Sequence, residues 1–194
     1  MDSDKSRIAV IGGTGDLGSG LARLWSAAGY PIVIGSRAKE RAVAAAKQLA
    51  LQTGTDVSGD DNRGAAQNAE VVALCVPYSN HDSIIEEIAP VMAGKILVDA
   101  VVPLVPPRVS VVHLPPAGSP ALAAQRRLGG EVRVSAAFHN VSAKKLHHGQ
   151  KADCDVLVFP TTGRCALGSS DSQTSLRRAE WMAEHSRTRS RLKH

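Results

Sequence analysis

A continuous apolar run, Ile8-Ala9-Val10-Ile11, passes directly into Gly12-Gly13-Thr14-Gly15-Asp16-Leu17-Gly18. Four apolar residues without polar alternation describe a strand covered on both faces. The glycines that follow allow a turn too tight for side chains, and Asp16 onward reads as a helix with Leu17, Leu21, Leu24 and Trp25 along one face. Gly13, Gly15 and Gly18 fit the G-x-G-x-x-G spacing. That hexapeptide alone is weak, because glycine often marks only a turn. Between a buried strand and a helix it gains a physical meaning. The first glycine permits the turn, the second admits a pyrophosphate to the backbone, and the third lets the helix pack close to the strand. Gly13, Thr14, Gly15, Asp16 and Leu17 are therefore candidate phosphate-loop residues.

The rest of the chain continues the alternation. Strands are expected at 31–34, near Val57, at 71–76 and at 95–99, with helices at 38–51, 62–68 and 81–91 between them. This order implies parallel strands joined by right-handed crossovers, a Rossmann-type doubly wound α/β sheet. The signal weakens beyond 101. A proline-rich loop runs to Pro120, a helix is expected at 121–128, and two more strands at 132–136 and 156–159. Three segments follow: a dinucleotide-binding domain at 1–104, a small truncated extension at 105–159, and a basic tail at 160–194.

The second strand selects the dinucleotide. A unit built for NAD ends this strand in Asp or Glu, which grips the adenosine ribose. Here it ends Ile34-Gly35-Ser36-Arg37, with Arg41 one helical turn further on. Ser36, Arg37 and Arg41 can donate to a 2′-phosphate instead, which makes NADP the expected cofactor. The competing reading makes the arginines plain solvated charges at a helix start.

Charge and cysteine content exclude other classes. The net charge is +5, but residues 161–194 hold seven Arg or Lys against three acids, so the body is nearly neutral. A neutral body has no electrostatic footprint for nucleic acid. Three scattered cysteines without a C-x-x-C pair speak against a disulfide framework or a zinc site and suit a reducing cytoplasm. Cys75 reads as a small core residue in mid-strand, and the adjacent His147 and His148 cannot share one helical face as a metal pair. No apolar run approaches the ~20 residues of a membrane span. No metal site, membrane contact or nucleic-acid partner is expected.

The glycine loop, the Gly35-Ser36-Arg37 corner, Leu74-Cys75-Val76-Pro77-Tyr78, Leu97 to Leu104, Ser135-Ala136-Ala137-Phe138-His139-Asn140 and Asp153-Cys154-Asp155 together resemble the NADPH-dependent coenzyme F420 reductases. The resemblance covers roughly the first 158 residues. It implies hydride exchange between NADP(H) and the deazaflavin F420 as co-substrate, with the chemistry supplied by the two coenzymes. Thr14, Ser36, Arg37 and Arg41 then carry over as NADP contacts, and Val76, Pro77, Tyr78 and Val101 as the lining of the nicotinamide half. His139, after a strand end, becomes a deazaflavin-side ligand, although a capping or interior histidine reads equally well. No catalytic side chain is required. A homodimer is a further expectation.

After Val158 the resemblance stops, and a Ser- and Arg-rich end replaces the family's closing segments. Trp181 and Met182 have one codon each, and read one base earlier those bases give Val or Met, then Asp, then Gly. This predicts a reading-frame change near Phe159 or Pro160, a tail without fixed structure, and an enzyme whose turnover the altered end could impair. Two alternatives stand beside the F420 reading: an NADP-dependent reductase of another small substrate, and a non-catalytic NADP-binding sensor.

Overall fold

The computed structural model describes residues 5–107, 111–147 and 156–161. Among them a seven-stranded sheet runs in the order β3-β2-β1-β4-β5-β6-β7. Its strands are β1 (Ile8–Ile11), β2 (Ile32–Gly35), β3 (Val57–Asp60), β4 (Val71–Leu74), β5 (Ile96–Asp99), β6 (Arg133–Ala137) and β7 (Val158–Pro160). The first six are parallel, and β7 pairs antiparallel with β6. Helices α1 (Asp16–Ala27), α2 (Lys39–Thr53), α3 (Asn62–Gln67), α4 (His81–Ile88), α5 (Pro120–Leu128) and α6 (Ala143–His147) connect or cover them. This is the doubly wound α/β architecture that the alternation of elements implies.

Every residue of β1, β2, β4 and β5 is buried. Alternate side chains feed two separate cores, as the pleat requires. Ile8 and Val10 pack with Leu21, Trp25, Phe138 and Leu146 on the face covered by α1, α2 and α6. Ala9 and Ile11 pack with Ile84, Ile85, Ile88 and Ala124 on the face covered by α3, α4 and α5. Trp25 meets Phe138 edge to face, with ring centroids 5.7 Å apart.

The short helix α3 is held at both ends. Asp61 Oδ1 accepts from the Gly64 N–H at 2.7 Å. At the other end Lys95 Nζ donates to the carbonyls of Ala66, Gln67 and Ala69 at 2.8, 2.7 and 2.6 Å. A cation on those last carbonyls completes hydrogen bonds the helix cannot make itself.

Three expectations shift. The strand at 71–76 stops at Leu74, so Cys75 stands beyond the strand and is half-buried. The helix at 81–91 ends at Ile88 and tightens into a 3-10 turn over Ala89–Val91, because Pro90 cannot donate to a continuing α-helix. Pro160, assigned to the tail, belongs to the sheet, where it pairs with Ser135, and Thr161 beside it donates its N–H to Val134 O and its hydroxyl to Gln125 Oε1. The remainder of the tail, His148 and the Asp153-Cys154-Asp155 segment lie outside the described residues. No described helix is long and apolar enough to cross a membrane.

Candidate functional site

The carboxyl ends of β1, β2 and β4 open onto one cavity of about 200 Å³. The glycine loop forms its floor. Gly12 adopts φ +79°, and a Cβ there would stand 2.4 Å from the Cys75 carbonyl oxygen. A Cβ on Gly18 would stand 2.4 Å from the Gly12 oxygen, so α1 can press against the loop only through glycine. The tight-turn role expected of Gly13 therefore falls to Gly12. Gly13 is needed for room, because its Cβ would lie 2.9 Å from Ile34 Cγ2 and 2.9 Å from Val10 O.

Gly15 caps α1 in an extended conformation and offers no side-chain acceptor. The first-turn N–H groups of that helix are thus left for an incoming anion. Thr14 and Gly15 both line the cavity.

The opposite corner is cationic. Ser36, Arg37, Ala38 and Arg41 line it, and both arginines are exposed. Neither forms an ion pair among the described residues. Ser36 is fixed by its N–H on Asp60 O at 3.3 Å, and its Oγ accepts from the Ala38 N–H at 3.3 Å. The carboxylate at this corner is engaged elsewhere: Asp60 Oδ1 takes Lys39 Nζ at 2.7 Å and the Asp61 N–H at 2.9 Å. The bond to Lys39 holds the Asp60 carboxyl below its usual range and raises Lys39 above its own.

Cys75, Val76, Pro77, Asn80 and Ile84 make the wall beyond β4. Burial, with the Asp99 carboxylate nearby, pushes the Cys75 thiol up to about 12, so it stays protonated and unreactive. Behind this wall His81 Nε2 lies 2.9 Å from Asp99 Oδ2, both side chains being buried.

A family profile described as NADP oxidoreductase coenzyme F420-dependent matches residues 7–103. The F420-dependent NADP reductase of Methanothermobacter marburgensis is 40% identical over 161 residues, covering 78% of this chain and 71% of that relative. The protein of the same name from Methanocaldococcus jannaschii gives 40% identity with the same two coverages. The chain belongs to the F420-dependent NADP oxidoreductase family. In fold, this family member is also similar to a crystal structure from Arthrobacter sp. FB24 described as an F420-dependent NADP reductase. The TM-score is 0.71 at 22% identity, over 94% of this chain and 82% of that one. A pyrroline-5-carboxylate reductase from Coxiella burnetii follows at a TM-score of 0.59 and 17% identity, over 97% and 60%.

Of the residues singled out in the sequence of this F420-dependent family member, the cavity brings together Thr14, Gly15, Ser36, Arg37, Arg41, Val76 and Pro77. Gly13 is buried under the loop, and Asp16 and Leu17 belong to the first turn of α1 outside the cavity lining. Tyr78 lines a neighbouring cavity with His81, Pro115 and Arg126. Val101 is buried behind the wall. His139 is exposed after β6, where Phe138 turns the chain with φ +67°. Sequence reasoning passed over Asn62, which lines the cavity and donates to Glu87 Oε2 at 3.1 Å. It also passed over Asn80, Ile84 and the His81–Asp99 pair. The one available signal was Asp99 itself, a charge closing an otherwise apolar strand and so in need of a buried partner.

Proposed function

We propose that this chain transfers a hydride between NADP(H) and the deazaflavin coenzyme F420. Membership of the F420-dependent family supports the pairing of coenzymes, and the named activity of its relatives supports the enzyme reading. The observation that carries the cofactor choice is the corner of Ser36, Arg37 and Arg41, where the carboxylate of Asp60 is already bound to Lys39. A free acid there would grip a ribose diol and repel a 2′-phosphate; a bound acid beside two arginines favours the phosphate.

The dinucleotide reading is supported by a cavity floor that only glycine can occupy and by the uncapped N-terminus that α1 presents to it. Gly13, Thr14, Gly15, Asp16 and Leu17 form the loop that would receive the pyrophosphate. Ser36, Arg37 and Arg41 would take the 2′-phosphate, and Arg37 can stack on the adenine. Val76, Pro77, Tyr78 and Val101 would bound the nicotinamide half, and His139 the deazaflavin side. When bound, NADPH supplies a hydride that F420 accepts together with one proton from solvent. The protein's part is to hold two rings in contact and keep water from between them. None of its side chains is assigned as catalytic.

Residues 1–104 form the NADP-binding unit in this reading, and 105–159 the deazaflavin-side extension. A homodimer is part of it: Val111, Val112, Leu114 and Phe159 expose apolar surface beyond β5 and β6 that a second copy could cover. A reducing cytoplasm is the compartment that suits these coenzymes.

Mixing the full chain with NADPH and F420 and following the deazaflavin absorbance band tests the function. The band bleaches with NADPH, and at least tenfold more slowly with NADH at equal subsaturating concentration. A band that persists with NADPH, or bleaches equally with both donors, overturns the proposal.

A further inference from the structure

His81 opens α4 and Asp99 closes β5, and each side chain is 1% exposed. His81 Nε2 stands 2.9 Å from Asp99 Oδ2, while His81 Nδ1 stands 3.1 Å from Asp82 Oδ1. Carboxylates face both ring nitrogens. A neutral imidazole has one N–H and one lone pair, and the lone pair would be aimed at an oxygen anion. Only the doubly protonated ring donates on both sides. Asp99 has a second engagement: its Oδ1 accepts from the Val101 N–H at 3.0 Å. One buried contact therefore joins the start of α4 to the chain leaving β5.

The first of those segments lines the proposed nicotinamide half, and the second is buried directly behind it, with Val101 in the same core cluster as Ile84. Asn80 and Ile84 flank His81 in sequence and line the cavity, as does Pro77. The Tyr78 ring lies 6.4 Å from the His81 ring at a 37° tilt. Val101 is fixed by Asp99 through its own backbone N–H. We propose that His81 and Asp99 are a positioning pair for the hydride-exchanging end of the NADP site, clamping the Pro77–Asn80 turn against the Ala100–Val101 exit of β5. The inference rests on the functional reading above and deepens it: the ionic state of a buried histidine sets the seat of the reacting ring.

The groups around the ring agree. Burial disfavours the charged imidazole, but the hydrogen bond and charge of Asp99, followed by those of Asp82, outweigh it, and His81 ends above its ordinary range. Asp82 is shared with Arg127 of α5, whose Nη2 lies 3.1 Å from Asp82 Oδ2 and which also binds Glu86. Arg126 lines the same neighbouring cavity. The Tyr78 ring lies beside it from a second 3-10 turn, Tyr78–Asn80, and the Asp99 carboxylate also acts on the charge of the Cys75 thiol. Asp99 is thus the partner that decides the protonation, and His81 loses its charge only as pH climbs past the usual histidine range.

The test follows the His81 ring by NMR in the isotope-labelled full chain, with His81→Gln identifying its signal. Titrations are run without ligand, with NADP+, and with 2′,5′-ADP, which fills the adenosine corner alone. NADP+ shifts the His81 midpoint, while 2′,5′-ADP leaves it in place. In steady-state assays His81→Gln, which keeps a donor toward Asp99, lowers kcat about tenfold and changes the NADPH KM less than threefold. It also flattens the alkaline limb of the rate profile, and His81→Ala loses more than the glutamine variant. A His81 midpoint indifferent to bound NADP+ overturns the pair's role, as does wild-type kcat and pH profile in His81→Ala. Failure of the chain to bind NADP+ at all overturns the functional reading and this inference together.

Discussion

Replacing Gly12 with alanine tests whether the floor of the cavity depends on a backbone approach that no side chain permits. Two costs can be read from the structure. The left-handed φ of +79° costs an alanine about 1–2 kcal/mol. The new Cβ would also meet Cys75 O at 2.4 Å, Val76 Cγ1 at 2.9 Å and the Cys75 carbonyl carbon at 3.0 Å. Two of these three are backbone atoms, so no rotamer change relieves them. Restoring ordinary van der Waals distance requires the loop and the end of β4 to part by about 1 Å, and overpacking of this kind costs about 1–3 kcal/mol. Gly54 is the control. It has φ +68° at the end of α2, and nothing lies within 4 Å of its would-be Cβ. Gly54→Ala therefore carries the backbone cost alone. Urea unfolding of both variants should place Gly12→Ala about 1–3 kcal/mol below Gly54→Ala. NADPH titration should raise the dissociation constant of Gly12→Ala at least tenfold, about 1.4 kcal/mol, and leave that of Gly54→Ala unchanged. Equal destabilisation in the two variants, with equal NADPH affinity, would refute the argument.

Removing the Arg37 side chain should weaken NADPH by about 1–2 kcal/mol, the range for charge-assisted bonds discounted for its exposure, and leave NADH untouched; calorimetric titration with both coenzymes decides it. Equal losses for the two would make Arg37 an ordinary surface charge. Lys39→Ala frees the Asp60 carboxylate beside the same corner. It should raise the NADPH KM a few-fold without raising that for NADH, and added salt should shrink the difference. The pH dependence of stability follows from His81, whose folded pKa is raised. Its contribution is complete below the unfolded value of about 6.5 and is lost as pH climbs through the folded value. The urea midpoint of the wild type should therefore fall more steeply above pH 6.5 than that of His81→Gln, and parallel curves would contradict the ion pair.

The inner strands were legible because β1, β4 and β5 are covered on both faces and so read as unbroken apolar runs. The edge was fainter for the same reason: β3 is half-exposed, and its Val57-Ser58-Gly59-Asp60 carries one large apolar residue. The orientation of β7 was not legible, since a three-residue strand shows no sign of the direction in which it pairs. The glycine spacing located the loop but misassigned its sharpest turn, because the motif begins at Gly13 whereas the clash with Cys75 and Val76, just beyond β4, arises at Gly12. Local pattern also found the Ser36-Arg37-Arg41 corner, where every participant lies within six residues. His81 and Asp99 are eighteen residues apart, and Asn62 and Glu87 twenty-five. Such pairs exist only after the crossovers have brought α3, α4 and β5 together, and no periodicity within one element encodes them.

The charges along the carboxyl edge follow one pattern. Two acids close strands there, Asp60 on β3 and Asp99 on β5. Left free, each would repel an anionic dinucleotide lying across that edge. Each instead meets a basic side chain from the element that packs beside it, Lys39 at 2.7 Å and His81, cationic when protonated, at 2.9 Å. Arg37 and Arg41 remain, without an ion pair among the described residues, and α1 adds the positive end of its dipole. A nearly neutral body can thus present a positive field at one edge, because its acids there are neutralised in place rather than missing. The two neutralised acids stand at opposite ends of the proposed ligand, yet they respond differently to solvent. Lys39 is exposed, so salt weakens its hold on Asp60 and with it the discrimination proposed for the Ser36-Arg37-Arg41 corner. His81 and Asp99 are buried, so salt scarcely weakens their bond, and pH is the variable expected to act on the proposed seat of the reacting ring.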